Sequence, residues 1–397
     1  MHFDAIIIGA GAAGMMCAAQ AGLRGRRVLL IEHAEKLGER IRISGGGRCN
    51  FSNRDVSAQN FLSQNPHFCR SALARYSSRD FVTLVERHGI AYEERDHGQL
   101  FCVDSAKQII DMLKRECDLA QVQWAMPCQV NQITAINKEE ARFTIATTQG
   151  EFSCQSLVIA CGGLAAPKIG ATPFGYQIAE QFQIPVVPPK PALVPLALAP
   201  DLLEKLEPLS GISIDTATRV AKAKPSFREH VLITHRGLSG PAILQISSYW
   251  QMQDRKQALA IDLLPDIDSA AWLAEHRHSS STLENLLAQK LARRFAQAWC
   301  HLHGWSKPLA EYSNHDFETM SRAVQGWSLM PAGTLGYNKA EVTLGGVDTR
   351  ALSSKTMQAE AVPGLFFIGE VMDVTGWLGG YNFQWAWSSG WVAGQAV

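Results

Sequence analysis

The chain has 397 residues, 46% of them apolar, with 37 Lys plus Arg against 37 Asp plus Glu and a formal charge of zero. That length exceeds one small core and predicts two or three domains. The charge balance argues against a broad nucleic-acid surface, so no nucleic-acid partner is expected, although a local basic groove stays compatible with it.

The apolar start lacks a basic leader and carries Asp4 ahead of a glycine turn, unlike a secretory signal. No apolar run reaches the ~18 residues that a spanning helix requires, so no membrane association is expected. The nine cysteines show neither CxxC nor paired spacing. Reduced thiols in a cytoplasmic protein follow from that, and dithiol-reductase chemistry is disfavoured.

Phe3 to Glu32 reads as an apolar strand, the turn Gly9-Ala10-Gly11-Ala12-Ala13-Gly14, a small-residue helix and a second strand, Val28 to Ile31, ending on Glu32. A tight turn needs Gly9, close approach of backbone to a pyrophosphate needs Gly11, and helix-on-strand packing needs Gly14. The helix start offers N–H groups to phosphate, and Glu32 can bind ribose hydroxyls. The plainer alternative is a glycine turn in some other α/β protein.

Ser44 to Asn50 (SGGGRCN) places Gly45, Gly46 and Gly47 in a row, costly in backbone entropy. Such a run lets main-chain N–H groups approach a flat or anionic ligand, with Arg48 adding positive charge. A flexible surface loop is the bland alternative, and Cys49 reads as a small packing residue. Further on, Val158 to Ala160 form a buried strand running into Gly162 and Gly163. The proline-rich crossing PVVPPKPALVP, Pro185 to Pro195, reads as a stiff domain boundary.

Beyond it the texture becomes β-rich, with short strands around Ile212 and Ile214, HVLIT and ALAIDLL. THRGLSGP, Thr234 to Pro241, offers His235 as an acid or base and Arg236 as an anion contact. It also reads as a helix start, with Ser239 or Gly240 as N-cap and Pro241 next. A helix capped by Ser281 with Glu284 carries Leu283, Leu286, Leu287, Leu291 and Phe295 as a core-packing stripe. Paired histidines His276 with His278, and His301 with His303, read as surface residues, and no metal is expected.

The chain returns to the first domain near Thr343 to Val347. GLFFIGEV, Gly364 to Val371, is a parallel-sheet strand ending at Gly369 and Glu370, and Gly379-Gly380-Tyr381-Asn382 opens the last helix. An extended FAD needs contacts remote from its GxGxxG. An acid at a strand end and a glycine-opened helix start supply them, the latter stabilising charge on the reduced ring. Trp385 and Trp391 with Tyr381 read as helix packing.

GAGAAG, SGGGRCN, THRGLSGPA, AEVTLGGVDT and GEVMDVTGWLGGYNFQWAWSSG together resemble the YhiN/BaiN-like NAD(P)/FAD-dependent oxidoreductases, over essentially the whole chain. The resemblance implies an α/β fold. A glutathione-reductase-type FAD-binding Rossmann domain would use both chain ends, 1–190 and 343–397. A β-rich, barrel-like domain with an adjoining helical part, 191–342, would interrupt it. It implies FAD contacts from Gly9 to Gly14, Glu32, Gly45, Gly46, Gly47, Arg48, Cys49, Asn50, Val130, Ala160, Gly162, Gly369, Glu370, Gly380, Tyr381, Asn382 and Phe383. Arg40 departs from the family, whose members tend to carry Lys there; a phosphate contact at Arg40 is therefore less secure.

The expected activity is hydride exchange between bound FAD and a small organic substrate or transiently bound NAD(P)H, with His235 and Tyr381 as catalytic candidates. No second GxGxxG follows a strand, so a dedicated NAD(P)H domain is not expected, nor is an obligate protein partner. A flavin-binding sensor or RNA-associated flavoprotein without turnover is the alternative.

Overall fold

The computed structural model describes residues 1–136, 140–221, 223–253 and 257–397. They form two compact units, Met1–Lys190 with Val342–Val397, and Pro191–Glu341.

The first unit is built on a parallel sheet. Its strands run in the order Gln123–Ala125, Val28–Ile31, His2–Ile8, Gly150–Ile159 and Leu365–Phe367, all parallel to their neighbours. Ile6, Ile7, Leu30, Val158 and Phe367 are essentially inaccessible, the near-continuous apolar pattern that a sheet covered on both faces demands. The long strand Gly150–Ile159 serves two neighbours on one edge. Its start pairs antiparallel with Phe143–Thr147, and its end pairs parallel with Leu365–Phe367. The last strand, 350 residues away in the chain, thus completes the sheet that the first one starts.

Helix Ala12–Leu23 crosses between the first two strands, and the C-terminal helix Tyr381–Gly394 lies against it. Small residues permit that contact. A Cβ at Gly390 would come within 2.5 Å of Ala13 O, and one at Gly394 within 2.6 Å of Gln20 Cβ. The proline-rich crossing is itself a strand, Val186–Ala192, paired with Val342–Val347 in a two-stranded sheet. Prolines are tolerated there because each strand has a free edge.

The second unit holds a seven-stranded antiparallel sheet in the order Trp327–Leu329, Leu259–Asp262, Ser213–Val220, Ser226–Thr234, Gly237–Ser239, Leu196–Ala197 and Gly333–Thr334. Its two edge strands are separated by only Met330, Pro331 and Ala332, a link of about 14 Å at full extension. The sheet therefore curls back on itself, as a barrel-like domain does. Helix Pro241–Met252 packs on the central hairpin.

Three readings of the helical part are corrected. The cap is Thr282, whose hydroxyl accepts from Asn285 N, not Ser281. The apolar stripe spans two helices, Leu283–Leu287 and Arg293–His303, with Phe295 on the second. His276 and His303 are half-buried rather than surface residues. His303 stacks on Trp305 with centroids 4.5 Å apart, and burial lowers its pKa.

Candidate functional site

In the first unit, the three glycines of the opening turn do separate work. Gly9 has φ +106°, and a Cβ there would meet Ala160 O at 2.5 Å. A Cβ on Gly14 would come 1.9 Å from Gly9 O, so this position closes helix against turn. Around Gly11 nothing lies within 4 Å. The helix that begins after it has no side-chain cap, leaving its first N–H groups and positive dipole end to a ligand.

Glu32 ends the second strand beside this turn. Its Oε2 accepts from Ala10 N at 2.8 Å and its Oε1 from Ala34 N at 2.9 Å. His33 Nδ1 also lies 3.1 Å from Oε1, so it is Oε2 that keeps a further acceptor site for a hydroxyl. Cys128 N donates to Glu32 O at 2.7 Å, which brings the start of strand Val130–Ala135 to the same end of the sheet. Gly162, just past Ala160, has φ +73° and open space at its Cβ position.

The SGGGRCN loop is a chain of left-handed residues, with φ +55° at Gly45, +65° at Gly46, +85° at Gly47 and +51° at Cys49. Gly46 and Gly47 face open space. Cys49 is wholly buried, and burial pushes its thiol up, so it is a packing residue and not a thiolate. Arg48 is half-exposed, its Nη1 3.7 Å from Glu93. The Asn50 amide lies 2.8 Å from that of Gln99. Arg40, on helix Glu39–Ile43, reaches Ala165 O at 3.4 Å.

The C-terminal segment is pinned by its own helix. Gly369 N donates to Ser389 Oγ at 3.0 Å, and Trp385 Nε1 donates to Gly369 O at 3.1 Å. Glu370 Oε1 accepts from Thr343 N at 2.9 Å. Gly380 caps the helix with φ +91°; a Cβ there would sit 2.2 Å from Ser52 O. Asn382 spends its amide on the preceding loop, accepting from Gly376 N and donating to Gly376 O and Trp377 O. Phe383 stacks on Trp387 at 5.7 Å. Tyr381 is buried edge-on against Phe61 and Trp377.

These residues, scattered from 9 to 383, belong to one unit. The bare backbone at Gly11, Gly46, Gly47 and Gly162, with an uncapped helix and an anchored acid, fits an elongated anionic dinucleotide such as FAD. In the second unit His235 and Arg236 form the exposed two-residue turn between strands Ser226–Thr234 and Gly237–Ser239. Gly240 is the N-cap and Pro241 the first residue of the helix that follows. Thr343 was not singled out from the sequence. It accepts from Leu164 N and its carbonyl takes Thr375 Oγ1 at 2.8 Å, joining three loops that surround Glu370. Its signal in the sequence was its place in the AEVTLGGVDT block and near the start of strand Val342–Val347.

Among the described residues, no cluster of His, Cys, Asp or Glu is placed to hold a metal. No helix among them is long and apolar enough to cross a membrane.

Residues 3–396 match the family model described as HI0933-like protein Rossmann domain. A protein of Escherichia coli (strain K12) named ribosomal RNA dihydrouridine synthase is 51% identical, over 99% of this chain and 98% of its own. A protein of the same name from Haemophilus influenzae is 46% identical, over 100% and 98%. A 3-dehydro-bile acid delta(4,6)-reductase of Clostridium scindens is 26% identical, over 98% of both chains. The first two names overturn the expectation that no nucleic acid is involved, since ribosomal RNA is the molecule in them. Net charge misled because it sums over a whole surface, and a polyanion reads only the local field. The chain belongs to the HI0933-like family, whose members are FAD-dependent oxidoreductases with a Rossmann-type FAD-binding domain.

Proposed function

We propose that this protein reduces the C5–C6 double bond of a uridine in ribosomal RNA to dihydrouridine, in the cytoplasm, using FAD recharged by NAD(P)H. The observation that carries the reading is identity of 51% and 46%, end to end, with two proteins named for that product. The C5–C6 bond is conjugated to the C4 carbonyl, so it accepts a hydride at one carbon and a proton at the other. The more distant relative is also named for a reduction. Bound FAD supplies the two electrons as a hydride.

The chain's own residues bind, orient and exclude. The Gly9–Gly14 turn and the uncapped helix hold pyrophosphate, and Glu32 holds ribose hydroxyls. Val130 lines the adenosine end of the site. Gly45 to Asn50, with Ala160, Gly162, Gly369 and Glu370, supply backbone along the middle, and Arg40 adds charge toward phosphate. The helix start at Gly380 to Phe383 sets partial positive charge where the reduced ring is anionic. Among the nine cysteines no disulfide is formed, and burial raises the Cys161 thiol to about 12.

His235, exposed and able to exchange with solvent, and Tyr381, at the start of the C-terminal helix, are the candidates for delivering the proton. Among the described residues the second unit's sheet is antiparallel and carries no dinucleotide turn, which supports transient NAD(P)H binding at the flavin face. Anaerobic titration should bleach the yellow protein with NADH or NADPH, and unmodified rRNA transcript should restore the colour with dihydrouridine formed. A flavin that bleaches but is never reoxidised by rRNA overturns the assignment. His235→Gln and Tyr381→Phe are expected to slow only that second half-reaction, by roughly 100-fold or more for the true proton donor.

A further inference from the structure

The helical part of the second unit carries a charge pattern found nowhere in the chain's overall balance. Residues 285–310, NLLAQKLARRFAQAWCHLHGWSKPLA, contain no Asp or Glu, yet include Lys290, Arg293, Arg294, Lys307, His301 and His303. On helix Arg293–His303, residues 293, 294, 297 and 301 fall within an arc of about 100°. All four are exposed, whereas Phe295 and Trp299 are buried on the opposite side and Ala296 and Cys300 are buried along the flank next to Arg293. Lys290 and Lys307 are exposed at the two ends of this face.

Several cations elsewhere sit against carboxylates. Arg54 is 3.0 Å from Glu94, Arg87 2.8 Å from Glu116 and Arg228 2.7 Å from Asp215. Among the described residues no carboxylate forms an ion pair with Lys290 or Arg293, while Lys307 lies within electrostatic reach of Asp316. Arg294 gives one N–H to Pro208 O and keeps its charge. A helix about 16 Å long bearing only positive charge repels itself and has its counter-charge supplied from outside. Half-buried Trp305, stacked on His303 just past the helix end, adds the kind of aromatic surface on which unpaired bases stack.

We propose that the exposed face of helix Arg293–His303, extended by Lys290 and Lys307, binds the sugar-phosphate backbone of the ribosomal RNA substrate. This rests on the reading of RNA as substrate and locates its anchoring surface, which supplies affinity rather than chemistry. The expected energetics are those of counterion release, with each lost phosphate contact lowering the salt dependence of binding by about 0.7 to 0.9.

The test compares the wild-type holoprotein with the triple variants K290A/R293A/K307A and K290R/R293K/K307R, using unmodified 16S and 23S rRNA transcripts across a salt series. Flavin content and melting temperature report folding. The alanine variant should bind at least about tenfold more weakly at 0.1 M salt, with a log–log salt slope smaller by about two. The charge-conserving variant should bind like wild type. Equal binding and slope in wild type and alanine variant would sink the surface, while leaving uridine reduction by both proteins intact. Equal loss in both variants would also sink it, since packing and not charge would then be at stake. If wild type binds neither transcript but binds vesicles one-third phosphatidylglycerol, both the surface and the RNA reading fall.

Discussion

Gly11 and Gly14 sit three residues apart and answer to different forces. At Gly14 a methyl group would overlap Gly9 O at 1.9 Å, a contact inside the folded protein itself. At Gly11 φ is −84°, comfortable for alanine, and no protein atom is near. Gly14→Ala should therefore lower stability by about 1–3 kcal/mol or more, seen as a fall in melting temperature of the apoprotein. Gly11→Ala should leave apoprotein stability within about 0.5 kcal/mol of wild type but lose FAD, seen as a colourless preparation. If both variants melt early, Gly11 is a packing position and the phosphate role is wrong.

Two buried acids near this unit's C-terminal strand respond oppositely to pH. The Arg350 guanidinium holds the Asp348 carboxyl below the ordinary carboxylate range, whereas burial raises that of Asp373. The ionised Asp348 stabilises above its unfolded pKa of about 3.9, and that stability is lost as pH falls through its lower folded value. Asp373 works the other way: its contribution is complete below about pH 3.9 and drains as pH rises through its raised folded value. Asp373→Asn keeps an acceptor for Gln64 N and removes the charge. Its melting temperature relative to wild type should climb with pH above about 4; a flat difference would contradict this.

At the scale of elements, the C-terminal helix is the part on which the site depends. It packs through Gly390 on Ala13 and through Gly394 on Cys17 and Gln20, and it grips Gly369 through Ser389 and Trp385. At its start, Ser52 Oγ donates to Gln384 Oε1 at 2.7 Å, and Gln384 and Ser388 both donate to Tyr76 O. Gly390→Val would force this helix away from Ala12–Leu23, at about 1–3 kcal/mol. FAD affinity should fall with it although residue 390 is proposed to touch no ligand. An unchanged affinity would show that the helix start is positioned from Ser52 and Tyr76 alone.

At the scale of the whole molecule, every proposed FAD contact lies in the unit formed by the two chain ends. Ligand binding stabilises what it binds by RT ln(1 + [L]/Kd), about 2.7 kcal/mol at a hundredfold excess over Kd. Excess FAD should therefore increase amide protection most in strands His2–Ile8 and Leu365–Phe367 and helix Tyr381–Gly394. Protection confined to Pro191–Glu341 would contradict the assignment.

Local pattern by itself determined the glycine turn with its strand, helix and acid, the parallel strand at Leu365–Phe367 and the glycine-opened last helix. Each is set by steric and burial rules acting within a few residues, so spacing alone displays them. Tertiary structure decided what depends on distant partners. It made the proline crossing a paired strand, moved a helix cap from Ser281 to Thr282 and split one apolar stripe over two helices with no glycine or proline at the break. It placed His235 at a hairpin tip and half-buried His303 against Trp305. It also turned Arg293, Arg294 and His301 to one exposed face of Arg293–His303. A charge total of zero is a sum and carries no positions, whereas an RNA backbone feels only the charges that folding brings to one face.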